Sequence, residues 1–169
     1  MKNIVLIGFM GVGKGTIARA FCAKTGMYGV DTDDLIESLE NRKIKTIFKE
    51  NGEGHFRALE ARTASWLAKN VKNTVISTGG GFFMVEDLNK IGTIVYLKSS
   101  FDGILKRIMS QPNAKQKLQK RPLFQEIDRA KALFEKRVPL YEKKADISIQ
   151  VENKSIKEIV KGLEKSLKF

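Results

Sequence analysis

The chain has 169 residues, of which 42% are hydrophobic, and a formal net charge of +12. This length supports one compact domain with a full core and leaves little room for a second. The charge favours anionic ligands, but by itself it does not choose among nucleic acid, nucleotides and small carboxylates. The single cysteine, Cys22, permits no internal disulfide and suits a reducing, cytoplasmic setting. No apolar run is long enough to span a bilayer, so we expect a soluble protein without a membrane partner.

Five segments have the composition of β-strands, and helical patterns lie between them. In chain order, the predicted strands are Asn3–Gly8, Tyr28–Asp31, Thr74–Thr78, Thr93–Lys98 and Ala145–Val151. Ser155 and Glu158 form a predicted capping box at the start of the last helix. Strands rich in Val and Ile that alternate with helices indicate a parallel sheet covered on both faces. The sequence therefore predicts an α/β fold with three layers, α/β/α, around a central parallel sheet of about five strands.

Two charged segments depart from this alternation within a single predicted domain, 1–169. Residues 32–70 contain several helical patterns, more than one crossover needs, and are predicted to form a substrate-binding flap. Residues 110–124, SQPNAKQKLQKRPLF, are polar and basic and contain prolines near both ends, which predicts a mobile lid. Trp66 and the phenylalanines are assigned to packing.

A glycine-rich turn follows the first predicted strand and precedes the first helical pattern. Gly8 and Gly13, directly followed by Lys14, match the P-loop pattern GxxxxGK. Glycines let successive amide hydrogens point at phosphate oxygens, and the helix N-terminus adds a partial positive charge. The glycine spacing excludes the dinucleotide fingerprint GxGxxG. We therefore predict a nucleotide phosphate site formed by Gly11, Val12, Gly13, Lys14, Gly15 and Thr16.

Gly15 occupies the place where P-loops usually carry a hydroxyl ligand for Mg²⁺. The next hydroxyl, on Thr16, is one place later and is expected to cap the helix or to contact the α phosphate. Mg²⁺ commonly keeps several waters, so an extra water can replace the missing ligand, and Asp31 is the best carboxylate candidate.

Charged residues further along the chain predict an acceptor with a carboxylate. In VDTDD, Asp31 and Asp33 stand two residues apart at the end of a short strand, so both carboxylates can face one side of a crevice. The alternative is a surface turn with an aspartate at a helix N-cap. In GEGHFRALE, Arg57 and Glu60 share a helical face, where the glutamate can hold the arginine. Arg137 lies in KRVPLY, and arginines bind planar carboxylates through paired hydrogen bonds.

Two further features favour a closed active site. The run Gly79, Gly80 and Gly81 follows a predicted strand and leaves the backbone bare, so a ligand or another segment can approach closely; the alternative is a flexible turn. Arg121, next to Pro122 in the basic segment, can swing over the phosphates, although a solvated loop would look much the same.

The motifs GxxGxGK, DTD, FR, TGGG, RPL and KRxPLY occur in this order over residues 8–141. Together they resemble the shikimate kinase family across essentially the whole chain. The resemblance implies a fold similar to nucleoside monophosphate kinases. It also implies transfer of the γ-phosphoryl group of ATP to the 3-hydroxyl of shikimate, with Mg²⁺, in the pathway to chorismate and the aromatic amino acids.

The resemblance further implies roles for individual residues, in three groups. Shikimate would contact Asp33, which can also receive the proton, the carboxylate-binding Arg57 and Arg137, and the glycines Gly79, Gly80 and Gly81. ATP would contact Arg107 through its adenine, and Lys14 and Arg121 through the transferring phosphoryl group. Mg²⁺ would be held by Asp31 through water. The segment from Arg107 to Arg121 is longer than the usual family spacing.

Two other interpretations compete with this one. A gluconate or nucleotide kinase is favoured by Gly15, whereas the arginine pair favours a carboxylated acceptor. A nucleotide-gated RNA-binding module would use the positive charge, but the basic residues are spread along the chain without an aromatic-interleaved signature. We therefore expect ATP and shikimate as partners, no nucleic acid, and a monomer.

Overall fold

A five-stranded sheet forms the centre of the protein. The computed structural model describes residues 2–110, 112 and 122–168. Every strand pair is parallel, and the spatial order is β2-β3-β1-β4-β5. The strands are β1 Asn3–Ile7, β2 Tyr28–Asp31, β3 Thr74–Ser77, β4 Gly92–Lys98 and β5 Ile147–Gln150. The predicted α/β fold and its strands are confirmed.

Helices connect the strands, as parallel pairing requires. They are α1 Lys14–Thr25, α2 Thr32–Glu40, α3 Ile44–Asn70, α4 Leu88–Ile91, α5 Phe101–Met109, α6 Ile127–Lys144 and α7 Ile156–Leu167, with short 3₁₀ turns at Phe82–Met84 and Pro122–Gln125. The capping box of α7 is present: Glu158 N donates to Ser155 Oγ at 3.3 Å, and Ser155 N donates to the Glu158 carboxylate at 2.8 Å.

The core follows from the central position of β1. Val5, Leu6 and Ile7 are fully buried, and Val5 aligns with Ile76 of β3 and Ile94 of β4. A strand buried on both faces has to be apolar throughout, which explains its continuous hydrophobic run. Because all strands run in the same direction, their carboxyl ends meet at one edge of the sheet, where ligands bind in open α/β folds.

The segment 32–70 forms α2 and α3, which enclose a small apolar cluster of their own. Ile36, Ile47, Phe56 and Leu59 form this cluster, separate from the main core. Helix α3 is interrupted at Gly52, whose φ of 77° and ψ of 178° are tolerated almost only by glycine. The segment thus has the several helices expected for the flap, and its binding role stays a prediction.

Aromatic side chains pack the P-loop against α5, α6 and the 3₁₀ turn at Pro122–Gln125. Phe9 makes edge contacts with Phe101, Phe124 and Phe134, at centroid distances of 6.4, 6.3 and 5.3 Å. Most of the predicted lid, 110–124, lies outside the described residues, and so does Arg121.

Trp66 behaves differently from these phenylalanines. It lies on α3 beside Leu35 and Leu39 of α2, and 48% of it is exposed. The expectation that Trp66 serves packing is therefore met only in part.

Across the part of the chain that the structure describes, no helix combines the length and apolar content needed to cross a membrane.

Candidate active site

The glycine-rich turn after β1 has the backbone geometry of a phosphate-binding loop. Gly11 and Gly13 have φ values of 84° and 103°, which favour glycine because a side chain would be strained there. Lys14 begins α1 and is buried, and its Nζ donates to the carbonyls of Gly8 at 2.7 Å and Phe9 at 3.1 Å. The lysine ammonium thus lies directly beside the loop, as the predicted phosphate contact requires.

The N-terminus of α1 is open to an anion. Gly13 is the N-cap residue, and no side chain among the described residues caps this end. The suggestion that Thr16 caps α1 is therefore wrong, because the cap falls three residues earlier and glycine has no side chain to accept a hydrogen bond. The first amide groups of a helix have no intrahelical acceptor, so they can donate to phosphate oxygens.

Asp31 ends β2 and also caps α2. Its Oδ1 accepts a hydrogen bond from the backbone N–H of Asp33 at 2.9 Å. The strand-alternation argument for this pair was wrong, because the chain enters α2 immediately after Asp31 and Asp33 lies in the first helical turn. Asp31 lines a cavity of about 280 Å³ with Gly15 and Asp34. Carboxylates with room for water suit Mg²⁺, so these residues fit the expected metal.

Asp33 combines burial with missing hydrogen bonds. Its Oδ1 is buried and has no hydrogen-bond partner among the described residues. Burial is the main cause that raises the pKa of Asp33 to about 7; the charge of Asp31 raises it further, and Lys14 opposes the shift. A carboxyl group with this pKa can hold or release a proton near neutral pH, which suits proton transfer.

Each of the three glycines after β3 lies close to one of the residues predicted to bind the acceptor. A Cβ built on Gly79 would lie 2.6 Å from Asp33 Oδ1, and one on Gly80 would lie 3.7 Å from Arg137 Nη1. A Cβ on Gly81 would clash with the guanidinium of Arg57. Close approach of side chains therefore favours glycine at Gly79 and Gly81, whereas the contacts at Gly80 are ordinary, and the turn gathers Asp33, Arg57 and Arg137 around it.

Arg57 is held by two glutamates of its own helix. Its Nη1 lies 2.5 Å from Glu60 and its Nη2 lies 2.9 Å from Glu53. Glu60 is only 1% exposed, its Oε1 has no hydrogen-bond partner among the described residues, and burial raises its pKa. The predicted Arg57–Glu60 contact on one helical face is confirmed. A buried glutamate that pairs with an arginine fixes the guanidinium in place.

Arg137 and Tyr141 lie one turn apart on α6 and contact the same carbonyl. Arg137 Nη1 donates to Gly80 O at 3.2 Å, and the Tyr141 hydroxyl donates to the same oxygen at 2.6 Å. The Arg137 guanidinium also lies 5.9 Å from the ring centroid of Phe83. The contact made by Tyr141 was not foreseen, although the four-residue spacing within KRVPLY places it on the same helical face as Arg137.

Arg107 of α5 lies against the P-loop from the other side. Its guanidinium would be 3.1 Å from a Cβ on Gly13, and burial lowers its pKa. Arg107 lines a cavity of about 240 Å³ together with Val12, Asn153 and Lys154. Asn153 and Lys154 were missed by the sequence analysis, but both follow β5 at the carboxyl edge of the sheet, where ligand contacts are expected.

A larger cavity, of about 600 Å³, adjoins the outer side of Arg57. Four acidic residues line it: Glu53, Glu60, Glu86 and Asp87. A negatively charged lining repels a carboxylate, so the face of Arg57 that meets the glycine turn is the better acceptor site.

The parallel sheet, the P-loop and the carboxyl-edge cluster define a P-loop kinase for a small acceptor. The sequence model of the shikimate kinase family matches residues 10–168. The chain belongs to the shikimate kinase family.

Individual relatives agree with this assignment. A shikimate kinase of Helicobacter hepaticus is 42% identical over 145 residues, covering 86% of this chain and 84% of the relative. One of Dehalococcoides mccartyi is 37% identical over 175 residues, covering 99% and 94%. The structure of the Acinetobacter baumannii shikimate kinase in complex with shikimate superposes with a TM-score of 0.84 at 28% identity, covering 99% of this chain and 94% of that one.

Proposed function

We propose that this chain transfers the γ-phosphoryl group of ATP to the 3-hydroxyl of shikimate, giving shikimate 3-phosphate and ADP, in the pathway to chorismate. The observation that carries this proposal is the cluster of Asp33, Arg57 and Arg137 around the glycine turn, beside the P-loop. A carboxyl group and two guanidinium groups match an acceptor that has both hydroxyls and a carboxylate.

In this proposal the acceptor is oriented by charge at one end and by Asp33 at the other. Arg57 and Arg137 bind the shikimate carboxylate, and Gly79, Gly80 and Gly81 lie beside the hydroxylated carbon ring of shikimate. Asp33 accepts a hydrogen bond from the attacking hydroxyl and receives its proton. Phosphoryl transfer depends mainly on positioning and electrostatic stabilisation, so this arrangement needs no covalent intermediate on the protein.

The nucleotide side uses the P-loop. The amides of Gly11, Val12, Gly13, Gly15 and Thr16 bind the phosphates of ATP, and Lys14 stabilises charge on the transferring group. Arg107 packs on the adenine. Arg121 stays a prediction from its RPL motif, and Arg121→Ala is expected to lower turnover far more than shikimate binding.

Mg²⁺ is the proposed cofactor, and Asp31 would hold it through water. When bound, the ion neutralises negative charge on the β and γ phosphates. We further propose that the chain acts as a cytoplasmic monomer on ATP and shikimate, without nucleic acid. A single species of monomer mass in size-exclusion chromatography with light scattering is the expected result.

The direct test is ADP release from ATP and Mg²⁺ with and without shikimate, with gluconate and AMP as alternative acceptors. Shikimate-dependent ADP release, with formation of the 3-phosphate, is the expected outcome. ATP binding without such release, or transfer to AMP, would overturn the acceptor assignment. The assignment of the P-loop as the nucleotide site would still stand.

A further inference from the structure

The residue that ends β3 lies where the P-loop lacks its hydroxyl. In the strand register, Ser77 aligns with Leu6 of β1 on one side and with Asp31 of β2 on the other. It therefore stands between the strand that leads into the P-loop and the strand that ends at the proposed metal carboxylate.

The Ser77 hydroxyl reaches the space that a side chain at position 15 would occupy. A Cβ built on Gly15 would lie 3.8 Å from Ser77 Oγ, in ordinary van der Waals contact. A serine at position 15 would extend its own oxygen one bond further into the same region. Either hydroxyl, that of Ser77 or that of a serine at position 15, can thus place its oxygen in the same small region.

Ser77 also faces a cavity beside the P-loop. The residue is only 4% exposed. It lines the cavity of about 280 Å³ that also contains Gly15, Asp31 and Asp34. A serine hydroxyl has two acceptor lone pairs, so one that lines a cavity with two carboxylates can bind an external ligand.

The chemistry of this cavity favours a cation. Asp31 and Asp34 supply negative charge, and Arg19 is the basic residue lining the same cavity, with Nη1 at 3.5 Å from the built Cβ. Oxygen atoms of a hydroxyl and of carboxylate-bound waters are the ligands that Mg²⁺ prefers. Resting on the proposed function, we propose that Ser77 Oγ is a direct ligand of the nucleotide-bound Mg²⁺ and replaces the hydroxyl missing at Gly15.

The test is a four-protein cycle with Mn²⁺ as the probe: parent, Ser77→Ala, Gly15→Ser and the double variant. Free Mn²⁺ is measured by electron paramagnetic resonance in the presence of ADP, and ADP affinity is measured separately in EDTA. Ser77→Ala should weaken Mn²⁺ binding by about tenfold and leave ADP binding in EDTA unchanged. Gly15→Ser should restore the lost affinity in the Ser77→Ala background, whereas Ser38→Ala, at the groove beside Trp66, should have no effect.

Unchanged Mn²⁺ affinity in Ser77→Ala, or a loss that Gly15→Ser does not restore, would overturn the proposal. If Ser77→Ala fails to bind ADP in EDTA, Ser77→Cys decides instead: a thiolate ligand should shift the preference of the ADP complex from Mn²⁺ toward Cd²⁺, and an unshifted preference would refute direct ligation. These measurements contain no shikimate, so failure of the acceptor assignment would be seen separately, in the ADP-release assay.

Discussion

Burial of the Asp33 Oδ1 atom lowers the stability of the fold. The pKa of Asp33 is raised to about 7 from an ordinary value of 3.8, mainly by burial. As the pH rises from about 4 to 7, the unfolded chain releases this proton before the folded chain does, so the free energy of unfolding falls. Asp33→Asn removes this loss. In EDTA without nucleotide, the variant should therefore unfold at a higher temperature than the parent at pH 8, with a smaller difference at pH 4.

An exposed aspartate provides the control for this measurement. Asp87→Asn, whose side chain is 59% exposed, should shift the melting temperature little. A difference between Asp33→Asn and the parent that stays constant from pH 4 to 8 would contradict the raised pKa.

The same substitution should cost activity. If Asp33 receives the proton of the attacking hydroxyl, Asp33→Asn should lower kcat by about 10²–10⁴-fold, the usual range for a lost general base. ATP affinity, measured by calorimetry, should stay within about twofold because the P-loop is unchanged. A variant that is more stable and fully active would separate the buried carboxyl from catalysis.

At the scale of elements, the glycine turn is the contact surface for the acceptor residues. Gly81→Ala places a methyl group against the Arg57 guanidinium, so it should displace that group and raise the KM for shikimate by about tenfold or more. Gly162→Ala is the matched control, because no atom lies within 4 Å of its built Cβ. The control should leave KM unchanged and raise the free energy of unfolding by about 0.5–1 kcal/mol in urea titrations, since Gly162 lies inside α7.

Helix α6 offers a second matched pair. Arg137 faces the glycine turn, whereas Arg129 lies two turns earlier with 73% of its side chain exposed. Loss of a charged hydrogen bond to the substrate costs about 1.5–3 kcal/mol, so Arg137→Ala should raise the KM for shikimate by roughly 10–100-fold. Arg129→Ala should match the parent in steady-state kinetics. Equal effects of the two substitutions would indicate a general charge effect.

The sequence allowed prediction of those elements whose signals are local. The strands follow from short apolar runs, the P-loop from its glycines and lysine, and the Arg57–Glu60 pair from helical spacing. Asp33 was placed on a strand because alternation was assumed, although Asp31 already caps a helix. The position of Ser77 depends on strand register, which no local pattern encodes. Helical spacing places Tyr141 on the same face as Arg137, but its contact with Gly80 depends on how α6 packs.

At the scale of the whole molecule, charge should affect the rate of substrate capture. The net charge is +12, and both proposed substrates are anions. Added salt screens this attraction, so kcat/KM for ATP and for shikimate should fall severalfold as KCl rises from about 20 to 300 mM. The kcat at saturating substrate should change much less. A kcat/KM that does not change with salt concentration would show that the positive charge, which is spread over the surface, does not speed substrate capture.

The position of Trp66 makes the protein its own optical sensor. It is the single tryptophan of the chain, it lies on α3 beside α2, and it is half exposed. Its emission therefore reports the solvent environment of the segment that carries Asp33 and Arg57, with no competing indole near the P-loop. Movement of that segment around an acceptor would shift the emission wavelength of Trp66 without an added label. Nucleotide binding alone would leave the emission almost unchanged. The rate of acceptor binding can thus be measured separately from that of nucleotide binding in the unmodified chain.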